Sequence, residues 1–182
     1  MNYSEINKLI SNKIKNNELI EIFRNEIDEI SMLGNAVALS SALLCIDNFV
    51  DFKFDGVKII RNKDISEIVI CDNNPSLAFM NSVCKKEKLF PEKYPNFDLK
   101  NWNGVFSKIY TDKIPVSVEC AFEDAIDYYF GHVTGINSNL ITMQCFDGGG
   151  KRFKDAVKVN LNFVSAVTIG DTYTTLMAKY AE

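Results

Sequence analysis

A single histidine, His132, occurs in the 182 residues, so any Cys-His or Ser-His-Asp mechanism has to pass through it. It directly follows Gly131 in a run that reads as a strand, which suits a surface or satisfied polar position better than a general base. Asp147-Gly-Gly-Gly-Lys151 has the glycines of a phosphate-cradling loop. It lacks the GxxxxGK[ST] spacing and sits between two expected strands instead of opening a helix, so a flexible hairpin turn is expected. Asp47, Asp51 and Asp55 recur at intervals of four, unlike the alternating ligands of a calcium loop, and read as solvated strand ends. Glu119, Glu123, Asp124 and Asp127 form a second acidic group, on an insertion before Tyr128, Tyr129 and Phe130. Aromatic side chains are enriched at interface hot spots, which makes Glu123, Asp124, Asp127, Tyr128 and Tyr129 candidates for a protein interface.

The five cysteines (Cys45, Cys71, Cys84, Cys120, Cys145) are odd in number, widely spaced and free of any CxxC. Neither a zinc ribbon nor a redox pair is indicated, and free thiols in a reducing cytosol are expected. No residue set calls for a metal or a cofactor, and no enzyme is expected. The opening MNYSEINKLISNKIKNNE lacks the layout of a signal peptide, and Ala36 to Ile46 is too short to span a bilayer. The expectation is a cytoplasmic protein without a membrane partner.

Hydrophobic residues make up 47% of the chain and charged residues 24%, enough to build a core and too ordinary for disorder. The net charge is −4, and only Arg24, Arg61 and Arg152 supply guanidinium groups. Both facts argue against a protein built mainly to coat nucleic acid.

The elements that would position these residues occur twice. Leu33 to Ile46 lines up with Phe130 to Met143 at a constant offset of 97, placing Gly34 on Gly131. After one inserted residue, Asp64 to Asn73 lines up with Asn162 to Asp171. Ahead of each strand region runs a helical stripe. Ile6, Leu9, Ile10 and Ile14 follow Ser4, a possible N-cap, and Trp102, Val105, Phe106 and Ile109 follow Asp98. Five short strands follow in each copy, with turns expected around Gly56 and at Asp147 to Arg152. Each copy closes on a helix, opened by Pro75 in one and by Asp171 as N-cap in the other. The expected organisation is residues 1–88, a Pro-containing linker at 89–97, and residues 98–182. Five short antiparallel strands behind one helix read as a small closed barrel, because closure removes exposed edges.

This plan resembles the Sm-like barrels. Val57 to Ile70, VKIIRNKDISEIVI, resembles the second Sm motif, with Ile60, Arg61 and Asn62 where Ile-Arg-Gly stands and Ile65 four residues past the arginine. The halves are also similar to a group of uncharacterised bacterial proteins with Sm-like domains. The first half carries a DxFxFDGxKIIRxxDI-like core around Asp51, Phe52, Phe54, Asp55, Gly56 and Arg61. The second carries Trp102, Val105, Phe106, Gly131, Val133, Asn137, Phe146, Asp147 and Gly150 of a WxxVFxxLK…GxVxxVN…FDxxG-like pattern. The resemblance spans most of residues 19–72 and 99–180. It implies a mainly β chain of two tandem five-stranded antiparallel barrels, each with an N-terminal helix and a short C-terminal helix.

In RNA-binding Sm proteins an aspartate, an asparagine and an arginine build a nucleobase pocket. Here the aspartate position holds Ser40 and Asn137, and the asparagine position holds Leu44 and Ile141, which cannot bond a base edge. Arg61 remains in the first copy, followed by Asn62, and Lys158 stands for it in the second, followed by Val159. The expected function is a non-catalytic binding module for a protein partner or for self-association. The alternative that the resemblance implies is single-stranded RNA at the barrel rim, through Arg61, Lys63, Lys158 and Asn137. Small acidic bacterial proteins also act as inhibitors of a toxic partner, and an immunity-type role is compatible with the charge.

Overall fold

The computed structural model describes all residues, 1–182. The chain divides into two compact units, Met1–Asn96 and Phe97–Glu182. Each opens on a helix that the apolar periodicity demands: α1, Tyr3–Asn16, buries Ile6 and Ile10, and α3, Trp102–Asp112, buries Trp102, Val105, Phe106 and Ile109. The start of α1 differs from the expected cap. Asn2, not Ser4, caps α1: its side chain accepts from Glu5 N–H (3.0 Å) while the Glu5 carboxylate accepts from Asn2 N–H (2.8 Å). This reciprocal box satisfies two backbone donors at once, which a lone serine inside the first turn cannot do. In α3 the cap is Asn101, accepting from Gly104 N–H.

In the first unit α1 is followed by β1 (Leu19–Arg24), β2 (Asp28–Leu39), β3 (Leu43–Val50), β4 (Lys53–Arg61) and β5 (Glu67–Ile70), then α2 (Pro75–Lys86). After α3 the second unit has β6 (Pro115–Ala121), β7 (Ile126–Asn137), β8 (Leu140–Cys145), β9 (Val157–Asn160) and β10 (Val164–Ile169), then α4 (Thr172–Tyr180). Asn74 caps α2 ahead of Pro75 and Asp171 caps α4, accepting from Leu77 N–H and Thr174 N–H. All pairings within each unit are antiparallel. The strand orders are β5-β1-β2-β3-β4 and β10-β6-β7-β8-β9.

The expected closed barrel does not form in either unit. The last strand pairs with the first and the fourth stays at the far end, so no ladder closes the ring. The first unit's β5 has four residues against nine in β4, and all four pair with β1. The sheet must still curl, because only residues 62–66 join strands lying four places apart. Four spacings in a flat sheet are about 19 Å. A link of five residues that contains the 3-10 turn Asn62–Asp64 covers less than that, with such a turn rising only about 2 Å per residue.

The bend sits at the aligned glycines. A Cβ on Gly34 would overlap the Asp47 carbonyl oxygen, and one on Gly131 would overlap that of Gln144. Just beyond each glycine the register slips, between Ala36 and Ala38 in one ladder and between Val133 and Gly135 in the other. The bulges recur at the offset of the sequence repeat, and bulged strands twist and bend more sharply.

Pairing shifts the repeat elsewhere. Leu43 pairs with Arg61 and Leu140 with Asn160, while Lys158 pairs with Thr142. The counterpart of Arg61 is therefore Asn160, not Lys158, because the long β8–β9 loop absorbs two more residues. Strands β2 and β7 start at Asp28 and Ile126, well ahead of the aligned glycines, and each reaches 12 residues rather than the short run expected. The β3–β4 turn falls at Asp51-Phe52, with φ of 47° and 62°, and not around Gly56, which lies within β4.

A two-residue hairpin with both central residues left-handed favours glycine, and a bulky residue there is strained. Phe52→Gly should therefore raise stability by about 0.5 kcal/mol or more. Gly131→Ala should lower it by at least about 2 kcal/mol. Urea unfolding followed by circular dichroism reads both signs.

Candidate interaction surface

Strands β6 and β7 form a hairpin whose pairing runs from Pro115 opposite His132 to Ala121 opposite Ile126. Of the five interface candidates, only Glu123 and Asp124 lie in its turn, and Asp127, Tyr128 and Tyr129 belong to β7 itself. What reads as an acidic insertion is mostly strand. Glu119 leaves the acidic group altogether: it is buried in β6 and accepts a 2.5 Å hydrogen bond from the Ser165 hydroxyl. Glu123, Asp124, Asp127 and Tyr128 are exposed, and Tyr129 is half-buried with its hydroxyl donating to Asp127 (3.3 Å). Burial, then the Asp127 charge, pushes the Tyr129 phenol above its ordinary range.

Aromatic rings flank this acidic tip. Phe122 and Phe163 lie 4.8 Å apart between centroids, and both remain exposed. Tyr128 stacks on Phe130 (6.4 Å), which meets the edge of Tyr173 from α4 (5.4 Å). Phe122, Phe163 and Tyr173 join this surface from outside the acidic group read in the sequence. Phe122 adjoins Glu123 and is legible by that proximity, whereas Phe163 and Tyr173 lie about 40 and 50 residues further along the chain.

The residues expected to contact RNA do other work or stand apart. Arg61 donates to Asp64 at 2.5 Å within its own turn. Asn137 accepts from the next residue's N–H (2.7 Å), and Ser40 accepts from Ala42 and Leu43 N–H (3.0 Å each). Lys63 and Lys158 are exposed, the latter two strands away from Asn137. Leu44 and Ile141 are wholly buried core. Asn62, at the glycine position of the motif, is buried and donates its side-chain N–H to the Ser40 carbonyl (2.8 Å), tying β4 to the β2–β3 turn.

His132 lies half-buried opposite Gln144, at an open groove of about 590 Å³ lined also by Tyr110, Thr111, Lys113, Val133 and Thr134. No carboxylate or thiol lines that groove with it. The glycine loop is closed on itself, because Asp147 Oδ1 takes the N–H groups of Gly149 (2.9 Å) and Lys151 (3.0 Å) that an anion would need. No helix is long and apolar enough to cross a membrane.

Asp47 is placed differently from the sequence expectation. It is not a solvated strand end. It is fully buried in β3, accepting from Asn35 N–H and from the Tyr94 hydroxyl (2.6 Å), and burial pushes its carboxyl up to about 6 against those two donors.

Comparison with known proteins is negative: no family model matches the chain, and no curated protein or solved structure does either.

All five cysteines are free, and Cys45 and Cys145 are buried, with burial pushing their thiols up to about 12 and about 11. A thiol alkylates as its thiolate. Iodoacetamide at about pH 8 should leave both unlabelled in the folded protein and label all five after denaturation, as peptide mass spectrometry would show.

Proposed function

We propose that the chain is a non-catalytic protein-binding module that docks a basic partner on the β6–β7 hairpin. The observation that carries this reading is the exposure, at the turn end of one hairpin, of rings (Phe122, Phe163, Tyr128) and of the carboxylates of Glu123, Asp124 and Asp127, with Asp127 and Tyr128 on opposite faces of β7. Rings of this kind give large contact area at small entropic cost, and the acidic tip steers and selects a cationic surface. An inhibitor of a basic toxic partner would need such a face. The five free thiols suit the reducing cytoplasm that this role implies.

The scaffold of this module is of the Sm-like kind. What supports this is the recurrence of helix, five antiparallel strands and a glycine-hinged second strand in both units. RNA is the weaker ligand for such a scaffold here, since the base-pocket positions hold core or turn-capping side chains.

The test is affinity capture from source cytosol with and without nuclease, using wild type, Tyr128→Ala and a double variant with Glu123→Lys and Asp124→Lys. Retention of a basic protein that survives nuclease, weakens about tenfold with Tyr128→Ala and is lost in the double variant supports the reading. A nuclease-sensitive species, or retention that ignores both variants, overturns it.

A further inference from the structure

The chain that follows α2 is pinned to the first unit. Leu89 N–H donates to the Cys84 carbonyl (2.9 Å), and Leu89 and Phe90 pack against the cluster of Leu19, Phe49, Leu77 and Cys84. The Phe90 ring lies 5.4 Å from that of Phe49. Four residues on, Tyr94 places its hydroxyl 2.6 Å from the Asp47 carboxylate. Residues 89–94 thus form a strap, held at one end by apolar contact and at the other by the Tyr94 hydroxyl, which donates to a buried acid and accepts from the Asn35 amide.

The surroundings of that acid are short of positive charge. Its partners are the Asn35 backbone N–H and the Tyr94 hydroxyl, both neutral. The Asn35 side chain reaches Tyr94 Oη and Asn17 Oδ1 (3.4 Å each), linking β2, the end of α1 and the strap. The titratable groups that face Asp47 are Cys45 on β3, Cys84 on α2 and Tyr94 on the strap, and none of them carries a positive charge. An ionised carboxylate without a cationic partner is costly to keep out of water.

We propose that the strap is a latch set by pH: it stays seated on the first unit while Asp47 is protonated and loosens when that carboxyl ionises. Lifting the strap withdraws the phenol and lets water reach the acid. The seated state holds its proton up to about pH 6, whereas a hydrated aspartate releases it near its ordinary value of 3.8. A raised carboxyl of this kind favours the seated state fully at low pH, and the advantage is lost as pH rises through about 6. A difference of about two pH units limits the effect to about a hundredfold in the seating equilibrium. The latch lies in the first unit and stands independently of the partner proposed for the β6–β7 hairpin.

Trypsin can cut the strap after Lys88 and Lys93, both exposed. Its rate on the full chain is divided, at each pH, by its rate on a peptide of residues 85–98, which removes the protease's own pH profile. In wild type the protection should fall about tenfold between about pH 5 and about pH 8, most of it by about pH 6, and level off above that. Asp47→Asn should remove the pH dependence. Tyr94→Phe keeps the ring but loses the donor that favours the carboxylate, so the pH at which protection levels off should move upward. Circular dichroism at each pH checks that every variant is folded. Protection that is flat with pH in wild type, a dependence that survives in Asp47→Asn, or a downward shift in Tyr94→Phe would overturn the latch.

Discussion

Two backbone contacts with no room for a side chain set the shape of both units. At Gly34 the second strand crosses its neighbour so closely that the Asp47 carbonyl fills the space of a Cβ, and Gly131 meets Gln144 in the same way. Each contact is followed by a bulge, and bulge and glycine together turn a long strand through the sheet. Without that turn, the fifth strand could not reach the first strand over the short link from the fourth. The helices then have a curved sheet to cover. The buried stripe of α3 is seated there, with Trp102 donating its indole N–H to the Val164 carbonyl (3.0 Å).

The same crossing places one side chain per unit at a strategic point, and the two units use it differently. Residue 47 is an aspartate and its counterpart 144 a glutamine. Asp47 receives a hydroxyl from Tyr94, 47 residues downstream, while Gln144 donates to the Phe153 carbonyl within the β8–β9 loop (2.7 Å). Both therefore anchor a segment that has no strand or helix of its own. An amide does this without titrating, and a buried carboxyl cannot. The neighbours follow suit: Asn35 bonds the Asp47 network, and His132, its counterpart, faces a groove.

Much of the architecture was legible because the apolar stripes of α1 and α3 have the helical period, and because a repeat aligns two glycines whose role is steric. What escaped has physical reasons. The early halves of β2 and β7 carry exposed Glu29, Asp127 and Tyr128, so they lack the alternation that marks a half-buried strand. The Asp51-Phe52 turn contains no glycine or asparagine, while Phe54-Asp55-Gly56 imitates a turn from inside β4. Counting alone set Lys158 against Arg61, and only the ladder puts Asn160 there. The signal for Asp47 was present, a charge inside Leu-Leu-Cys-Ile-Asp-Asn-Phe-Val, but its partner Tyr94 lies in a stretch whose prolines and charges look like a linker.

The divergence of the units also explains why the candidate surface occurs once. The hairpin of the first unit turns at Asn25 to Ile27 and exposes one large apolar residue, Ile30. That of the second unit turns at Phe122 to Ala125 and gathers rings from β7, from the approach to β10 and from α4. A repeat conserves what the backbone needs, which is the glycine, the bulge and the strand order. Side chains that face away from that constraint are free to change. Hence the aromatic and acidic tip can serve a partner in one copy, while the other copy puts its chemistry beneath a strap. Exposed rings in ordered contact cost little to hold for docking, whereas a buried acid costs stability whenever it is charged. The first suits a permanent binding face, and the second suits a response to conditions.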